Sequence, residues 1–437
     1  MMTPAETVAA SEAAKDVRPA LKDLPQRWWL MILLVTSMLF CYAQRGALSV
    51  AAPFMSEDLG FNPATTGALL SAFFWVYSFM QMPSGWLVDR FGVRLAYAFG
   101  FAFWSLTSIL TGLAKNLASL ILLRVSLGLG QAVAFPASAR ATANWFQERE
   151  RGMVTGLYLA GVRYGSALIS LFGAWFLTRY DWRLFFVVIG AVSLVWLLPW
   201  IGFLKKWEEK PKIAASALRQ ETPQQGASFK ESLLLLNNRS VMGIFLGFFA
   251  YDYVWFVFQT WLPSYLVMER KFSKVEMGVF SAMPYLAMSV IILISGALSD
   301  WLVRRGYDEK RVRKIFIVSG LLVCCLVVPA GMVEDKMTAV WLLTISLSGL
   351  GIASPNTWTL TQAVCSKKIV GTVSGIQNFG GNIGGVIAPM LTGFIVQVTG
   401  SFALALGLCG AILAGGVIAY WLLVEEEVEI ADHPKAA

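Results

Sequence analysis

The stretch "GWLVDRFGVR", residues 85–94, is a short charged turn between two long apolar runs. In it Gly85 stands four residues before Asp89, and arginines follow. A second stretch, "GALSDWLVRRG" at residues 296–306, repeats this order of glycine, aspartate and arginine. A single charged turn is ordinary, but two copies at matching places indicate an internal repeat, as in many membrane transporters. The sequence therefore predicts two related halves.

Composition places the chain in a membrane. Of its 437 residues, 57% are hydrophobic and only 14% are charged, whereas soluble domains carry about 25% charged residues. The net charge of +8 does not indicate nucleic-acid binding, because the basic residues lie in short loops between apolar runs. We therefore predict a polytopic membrane protein with the lipid bilayer as its surroundings.

Apolar runs long enough to span a bilayer recur twelve times along the chain. The candidate spans are 28–55, 65–88, 95–114, 117–138, 151–178, 182–204, 240–266, 275–300, 314–333, 337–362, 370–396 and 401–424. They predict an all-α membrane protein of twelve transmembrane helices in two pseudo-symmetric six-helix halves. The predicted parts are a disordered tail at 1–27, bundles at 28–204 and 240–424, a linker at 205–239 and a second tail at 425–437.

Lys and Arg residues are concentrated in the loops on one side of the predicted spans, together with both tails. The positive-inside rule therefore places both termini in the cytosol. A bacterial inner membrane is the default location, and a monomer is the default state. The cysteines lie in or beside apolar runs, and His433 is the single histidine, so neither a disulfide nor a metal site is expected. No phosphate-binding loop or nucleophile–base pair stands out, so we expect no cofactor and no enzyme activity.

The turn at 85–94 resembles the signature of the major facilitator superfamily, G-x-L-x-D-R-x-G-x-R, at every specified position. Within that superfamily the chain resembles the anion:cation symporter family. Four stretches carry the second resemblance: "CYAQRGALSVAAPFM", "LRVSLGLGQAVAFPASARATANWFQERERG", "MPYLAMSVIILISGALSDWLVRRG" and "SGIQNFGGNIGGVIAPMLTGFIV". The resemblance implies alternating-access transport of a small organic anion, such as a sugar acid.

Arg45 lies in the middle of the first span, where an arginine is costly. Its guanidinium can bind a carboxylate through two parallel hydrogen bonds and stays charged at any pH. The resemblance also places the family's carboxylate-binding arginine on Arg45, and its substrate-contacting asparagine on Asn378. We predict a substrate site formed by these residues: Arg45, Tyr42, Gln44, Tyr77, Gln131, Arg163, Trp358 and Asn378.

Two further charges in the spans have open interpretations. Arg163 either pairs with an acid on a neighbouring helix or lines the cavity, and a second cavity arginine would favour a dianion. Asp252 is the one acid deep in a span, and it either binds a transported proton or serves as counter-ion to Arg163 or Arg45. Arg124 is interpreted either as a structural residue or as part of conformational coupling, and not as a primary substrate contact. The turn residues predicted to gate the conformational change are Gly85, Asp89, Arg90, Arg94, Asp300 and Arg304.

The energy source is the least defined property. The resemblance implies acids at two positions of the proton-coupled members, and this chain has Gln44 and Gln131 there. Amides do not exchange protons at physiological pH, so proton symport would need another site, most plausibly Asp252. The alternative is an uncoupled uniporter or an anion exchanger. A cation or drug exporter and a non-transporting anion sensor are the competing classes.

Overall fold

A computed structural model describes residues 26–205, 235–366, 369–425 and 428. The N-terminal half, residues 26–205, contains α1 (Gln26–Leu59), α2 (Pro63–Gly112), α3 (Leu117–Gln131), α4 (Ala134–Trp145), α5 (Glu148–Leu177), α6 (Trp182–Leu194) and α7 (Leu197–Lys205). The tails at 1–25 and 429–437 and most of the predicted linker lie outside the described residues, so the structure does not test those predictions.

The C-terminal half, residues 235–425, is also helical. It contains α8 (Arg239–Met268), α9 (Lys274–Arg304), α10 (Glu309–Cys324), α11 (Val327–Met332), α12 (Lys336–Val364), α13 (Val370–Thr399), α14 (Ala403–Ile418) and a π-helical turn (Ala419–Leu423). Within the described residues, eleven helical segments are long and apolar enough to cross a membrane. Of the twelve predicted spans, the one at 65–88 is not among these eleven segments, and it forms the first part of α2. The all-α membrane fold is thus confirmed.

Helix α2 contains two predicted spans and changes direction at Gly92. Gly92 has φ 79° and ψ 154°, a left-handed conformation that residues with a Cβ rarely adopt. This glycine belongs to the turn "GWLVDRFGVR", so the signature motif has a direct backbone role. Its conformation lets two spans follow each other with almost no intervening loop.

The helix starts at one end of the bundle carry strong caps. The residues that cap them with side-chain oxygens are Asn62, Asn116, Asp181, Ser273 and Asp335. Such caps satisfy backbone N–H groups that the first turn of a helix leaves free. We call this the outer end, because it lies opposite the predicted cytosolic termini. The other end, with the turns at 85–94 and 305–308, is the inner end.

The two halves meet through three helix pairs, α1 with α8, α2 with α13 and α5 with α9. Hydrogen bonds across this boundary lie toward the outer end: Ser49 donates to the Thr260 carbonyl at 2.7 Å, and Lys274 donates to the Leu177 carbonyl at 3.0 Å. Gly67 of α2 also approaches α13 so closely that an added Cβ would lie 2.5 Å from the Pro389 carbonyl oxygen. The outer end is therefore tightly packed.

At the inner end the described ion pairs stay within one half. Asp89 pairs with Arg140 of α4 at 3.6 Å, and Asp300 pairs with Arg313 of α10 at 2.7 Å. Their partners thus come from other helices and not from the neighbouring turn residues Arg90 and Arg304. Arg90 instead stacks over the Trp86 ring at 5.2 Å.

Candidate anion-binding site

Arg45 is buried among aromatic rings, with 5% of its surface exposed. Its guanidinium carbon lies 4.3 Å from the ring centre of Tyr42 and 4.5 Å from those of Phe73 and Tyr77. Tyr42 is one helical turn before Arg45 on α1, and Phe73 and Tyr77 are one turn apart on α2, so helix geometry brings each pair to one face. The rings supply cation–π stabilisation but no negative charge.

The hydrogen bonds of Arg45 go to neutral groups. Nη1 donates to the Tyr42 hydroxyl at 3.2 Å, and Nε donates to Gln131 Oε1 at 3.2 Å. Nη2 is buried without a hydrogen-bond partner. A buried charge normally requires a counter-charge or full hydrogen bonding. The free Nη2 group is therefore suited to an incoming anion.

Gln131, on α3, forms a hydrogen bond with Arg45. Its Oε1 accepts from Arg45, and its Nε2 donates to the Cys41 carbonyl at 3.0 Å. A carbonyl oxygen can only accept, so this position requires a donor as well as an acceptor. An amide meets both demands, and an ionised carboxylate does not.

Replacing Gln131 by glutamate should add a pH dependence to substrate binding. The ionised acid would neutralise Arg45 and compete with an anionic substrate. As the pH falls and the acid becomes protonated, it would again donate to Cys41 and release Arg45. We therefore expect Gln131→Glu to bind substrate at least tenfold more weakly than wild type at high pH, with recovery toward low pH, in titrations of binding against pH.

Gln377→Glu is the matched control. Gln377 is another buried amide that donates to a backbone carbonyl, that of Thr357 at 3.4 Å, but it lies on α13 and contacts Thr361. It should not acquire the added pH dependence. Equal pH profiles for Gln131→Glu and wild type would contradict the role given to Gln131.

Arg124 lies beside this group on α3. It is 4% exposed, its Nε has no hydrogen-bond partner, and its guanidinium carbon is 5.6 Å from the Phe73 ring centre. Phe73 thus contacts both buried arginines. Among the buried residues that the structure describes, the charged ones are Arg27, Arg45, Arg124 and Arg313, with no acid. Arg27 and Arg313 have ion pairs with acids, so the buried charges lacking one are Arg45 and Arg124.

Gln44 points to a different neighbourhood from Arg45, although the two are adjacent in sequence. Its Nε2 donates to Ser193 at 2.6 Å and Ser105 at 3.4 Å, and its Oε1 accepts from Ser108 at 2.8 Å. Successive residues on an α-helix point about 100° apart, so this divergence follows from the helix itself. These bonds favour a packing role over the substrate contact that we predicted.

On the opposite side of the boundary, Asp252 of α8 lies against α13. A Cβ built at Gly381 would collide with its Oδ2 atom, so the glycine makes room for the carboxylate. Asp252 is half-buried, and no ion pair joins it to an arginine within the described part of the chain. The counter-ion role therefore has no direct contact in this conformation.

Arg163 of α5 reaches across the boundary between the halves. Its guanidinium carbon lies 3.9 Å from the ring centre of Trp255 on α8, and Trp255 packs edge-on against Tyr285 at 5.8 Å. Arg163 is half-buried. A charged side chain of the N-terminal half thus contacts an aromatic ring of the C-terminal half.

The remaining predicted contacts lie on the C-terminal helices. Trp358 of α12 is 36% exposed and packs edge-on to Phe248 at 5.1 Å. Asn378 of α13 is half-buried, and its carbonyl accepts from Asn382 at 2.8 Å. The structure brings Arg45, Tyr42, Tyr77, Gln131 and Arg124 together, and it places Asn378 and Trp358 in the other half.

Sequence reasoning missed three participants. Phe73 looked like one apolar residue among many, although its spacing of four from Tyr77 was a usable signal. Arg140 and Arg313 lie outside the predicted spans and were not among the predicted site residues, and the structure makes them the partners of Asp89 and Asp300. Arg313 also donates to Ser299 at 2.8 Å and Asn356 at 3.3 Å.

A membrane fold of two packed helical halves with charged groups buried in its interior is typical of integral membrane transporters. The family model described as Major Facilitator Superfamily matches residues 34–389. The chain therefore belongs to the major facilitator superfamily, which confirms the resemblance found in the turn at 85–94. It is an integral, multi-pass membrane protein.

The relatives share nearly the full length. The chain is 31% identical over 420 residues to the D-galactonate transporter of Escherichia coli O6:H1, covering 93% of this chain and 97% of the relative. It is 29% identical over 426 residues to the probable galactarate/D-glucarate transporter GarP of Escherichia coli K12, covering 92% and 96%. These bacterial relatives agree with the predicted inner-membrane location.

A solved structure supports the fold. A bacterial homologue of the human lysosomal transporter Spinster, in an inward-facing and unoccupied conformation, matches with a TM-score of 0.70. The match covers 92% of this chain and 95% of the homologue at 19% sequence identity.

Proposed function

We propose that this protein is a secondary carrier of small organic anions whose carboxylate binds Arg45. One observation carries the proposal: Arg45 is a buried guanidinium with no acidic partner and with Nη2 free. A carboxylate bound there would form charge-assisted hydrogen bonds and remove the cost of an unpaired buried charge. The aromatic rings around it exclude water and so strengthen this interaction.

A sugar acid is the substrate class that the surroundings and relatives favour. Tyr42 and Tyr77 border the guanidinium and offer hydroxyl groups. Asn378 and Trp358 on the facing half offer an amide and a ring for the hydroxylated carbon chain. Relatives named as galactonate and galactarate/D-glucarate transporters support this choice.

Transport would proceed by alternating access, with the two halves rocking about the bound anion. On this proposal the packed outer end, where α2 meets α13 and α5 meets α9, is the closed side of the carrier. Reopening would require the contacts of Ser49 and Gly67 to separate. Asp89 and Asp300 with their arginine partners would rearrange at the inner end.

A thermal-shift binding screen tests the anion class. The purified protein is heated with sugar acids, dicarboxylates, amino acids and lipophilic cations at equal concentration. Ligands that bind the folded state raise its melting temperature. We expect stabilisation by carboxylates. Stabilisation by cations alone would overturn the proposal in favour of a cation or drug exporter.

We further propose that Asp252, and neither Gln44 nor Gln131, is the proton-coupling group. Asp252 is half-buried, lies against Gly381 and forms no ion pair with another described residue. A carboxylate held near a guanidinium that can also bind substrate is able to respond to substrate occupancy. The competing proposal is uncoupled uniport or anion exchange.

Asp252→Asn separates the two mechanisms. If Asp252 carries the proton, the amide should abolish uptake driven by a pH gradient and leave counterflow exchange within about twofold of wild type. The measurement is uptake and counterflow in proteoliposomes, with protein levels matched. If uptake driven by a pH gradient survives in Asp252→Asn, coupling at Asp252 is contradicted. If both this uptake and counterflow are lost, Asp252 has a structural role.

A further inference from the structure

We propose that the site selects dianions, with one acidic group on Arg45 and the second on Arg163. This inference rests on the proposed anion-carrier function and narrows its substrate class. The starting point is the charge balance of the interior. The middle of the described helices contains the guanidiniums of Arg45, Arg124 and Arg163 and the carboxylate of Asp252.

Three permanent positive charges face one negative charge, because arginine remains protonated in proteins. No ion pair with an acid involves Arg45, Arg124 or Arg163 in the described residues. A monoanion would leave the interior with a net positive charge even when Asp252 is ionised. A dianion would balance it, and desolvated charges favour that balance strongly.

Arg163 has the surroundings of a ligand-binding arginine, because it contacts an aromatic ring and has no acidic partner among the described residues. Its guanidinium carbon lies 3.9 Å from the ring centre of Trp255, a contact with the aromatic face that uses none of the N–H donors. It is half-buried, so these groups remain reachable. A guanidinium with reachable N–H groups can bind a carboxylate or sulfonate through two hydrogen bonds.

The two arginines are held by different helices. Arg45 is held by α1, α2 and α3 side chains, and Arg163 is held across the boundary by α8. An open chain with an acidic group at each end would contact both. Engaging Arg163 would also join the substrate to Trp255 of the C-terminal half.

Binding of matched acid pairs tests the inference. The probes are two pairs of acids, galactonate with galactarate and gluconate with glucarate. Within each pair, the monoacid ends in an alcohol where the diacid has a second carboxylate. Wild-type protein should bind the diacid of at least one pair on the order of 10- to 100-fold more tightly. Sulfoacetate and a short dicarboxylate report whether a sulfonate or a different spacing is accepted.

Arg163→Gln should remove this preference while keeping monoacid affinity within about threefold of wild type. Arg163→Lys, which keeps the charge and loses the planar fork, should retain part of it. Arg179→Gln is the matched control, because Arg179 also stacks on a tryptophan, Trp175 at 5.0 Å, but is exposed beyond the end of α5. It should keep the wild-type preference.

The outcomes are distinguishable. Equal or tighter binding of the monoacids by wild type would overturn the dianion inference and leave the anion-carrier proposal standing. A diacid preference that persists in Arg163→Gln would overturn the role of Arg163. Binding of neither acid class would overturn the proposed function itself.

Discussion

Arg45→Ala should abolish transport. The substitution removes the buried guanidinium that is proposed to bind the substrate carboxylate. Losing one partner of a buried, hydrogen-bonded charge pair costs about 2–5 kcal/mol. At about 1.4 kcal/mol for each factor of ten, substrate affinity should fall by roughly 30-fold or more. Uptake should reach the level of empty liposomes at substrate concentrations that saturate the wild type. Binding titration and initial uptake rates measure the two effects.

Two companion variants separate binding from folding. Arg45→Lys keeps the charge but loses the fork and the planar stacking on Tyr42, Phe73 and Tyr77, so its affinity should fall between wild type and Arg45→Ala. Arg183→Ala removes an exposed ion pair to Asp58, 2.8 Å long, at the outer end. Such surface pairs contribute about 0–1 kcal/mol, and this variant should transport normally. Wild-type uptake by Arg45→Ala would contradict the site.

Gly67→Leu should stop the transport cycle without destroying the substrate site. A Cβ at this position would already lie 2.5 Å from the Pro389 carbonyl oxygen and 3.2 Å from Gly393 Cα, and leucine adds three more carbons. The outer ends of α2 and α13 could not approach as they do here. We expect uptake near background and substrate affinity within about threefold of wild type.

The contact between the outer ends of α2 and α13, called the seam, should open in Gly67→Leu. The reactivity of a cysteine placed in this seam measures whether it does. Ser71 donates across the same seam to the Val386 carbonyl at 2.7 Å and is fully buried. In a chain without the native cysteines, Ser71→Cys should react with a membrane-impermeant thiol reagent faster when Gly67→Leu is also present. Gly407→Leu is the control, because no atom lies within 4 Å of a Cβ there, and it should behave as wild type. Full uptake by Gly67→Leu would contradict the closed outer end.

Much of the fold could be read from local pattern. Apolar run length defined the spans, because a bilayer leaves few alternatives to a helix. The turn at 85–94 indicated the family, and Gly92 shows why one of its glycines matters. Arg45 stood out because a guanidinium in an apolar span is energetically costly and is usually functional. The division into two bundles at 28–204 and 240–424 stays a prediction.

The rest depended on contacts between residues far apart in sequence. Gln44 and Gln131 looked equivalent as amides in place of acids, yet Gln44 bonds to serines while Gln131 bonds to Arg45. The partners of Asp89 and Asp300 come from helices that the turn motif does not include. Arg163 was expected to pair with an acid or to line the cavity, and its stacking on Trp255 depends on how the two halves dock.

The central claim is that this chain moves organic anions through a site anchored by Arg45. The most direct measurement is counterflow of labelled galactonate and galactarate in proteoliposomes containing wild type or Arg45→Ala at matched density. We predict saturable exchange of at least one acid by wild type and exchange at the protein-free level by Arg45→Ala. Binding without flux in wild type would instead support a sensor, and equal flux in both proteins would contradict the claim.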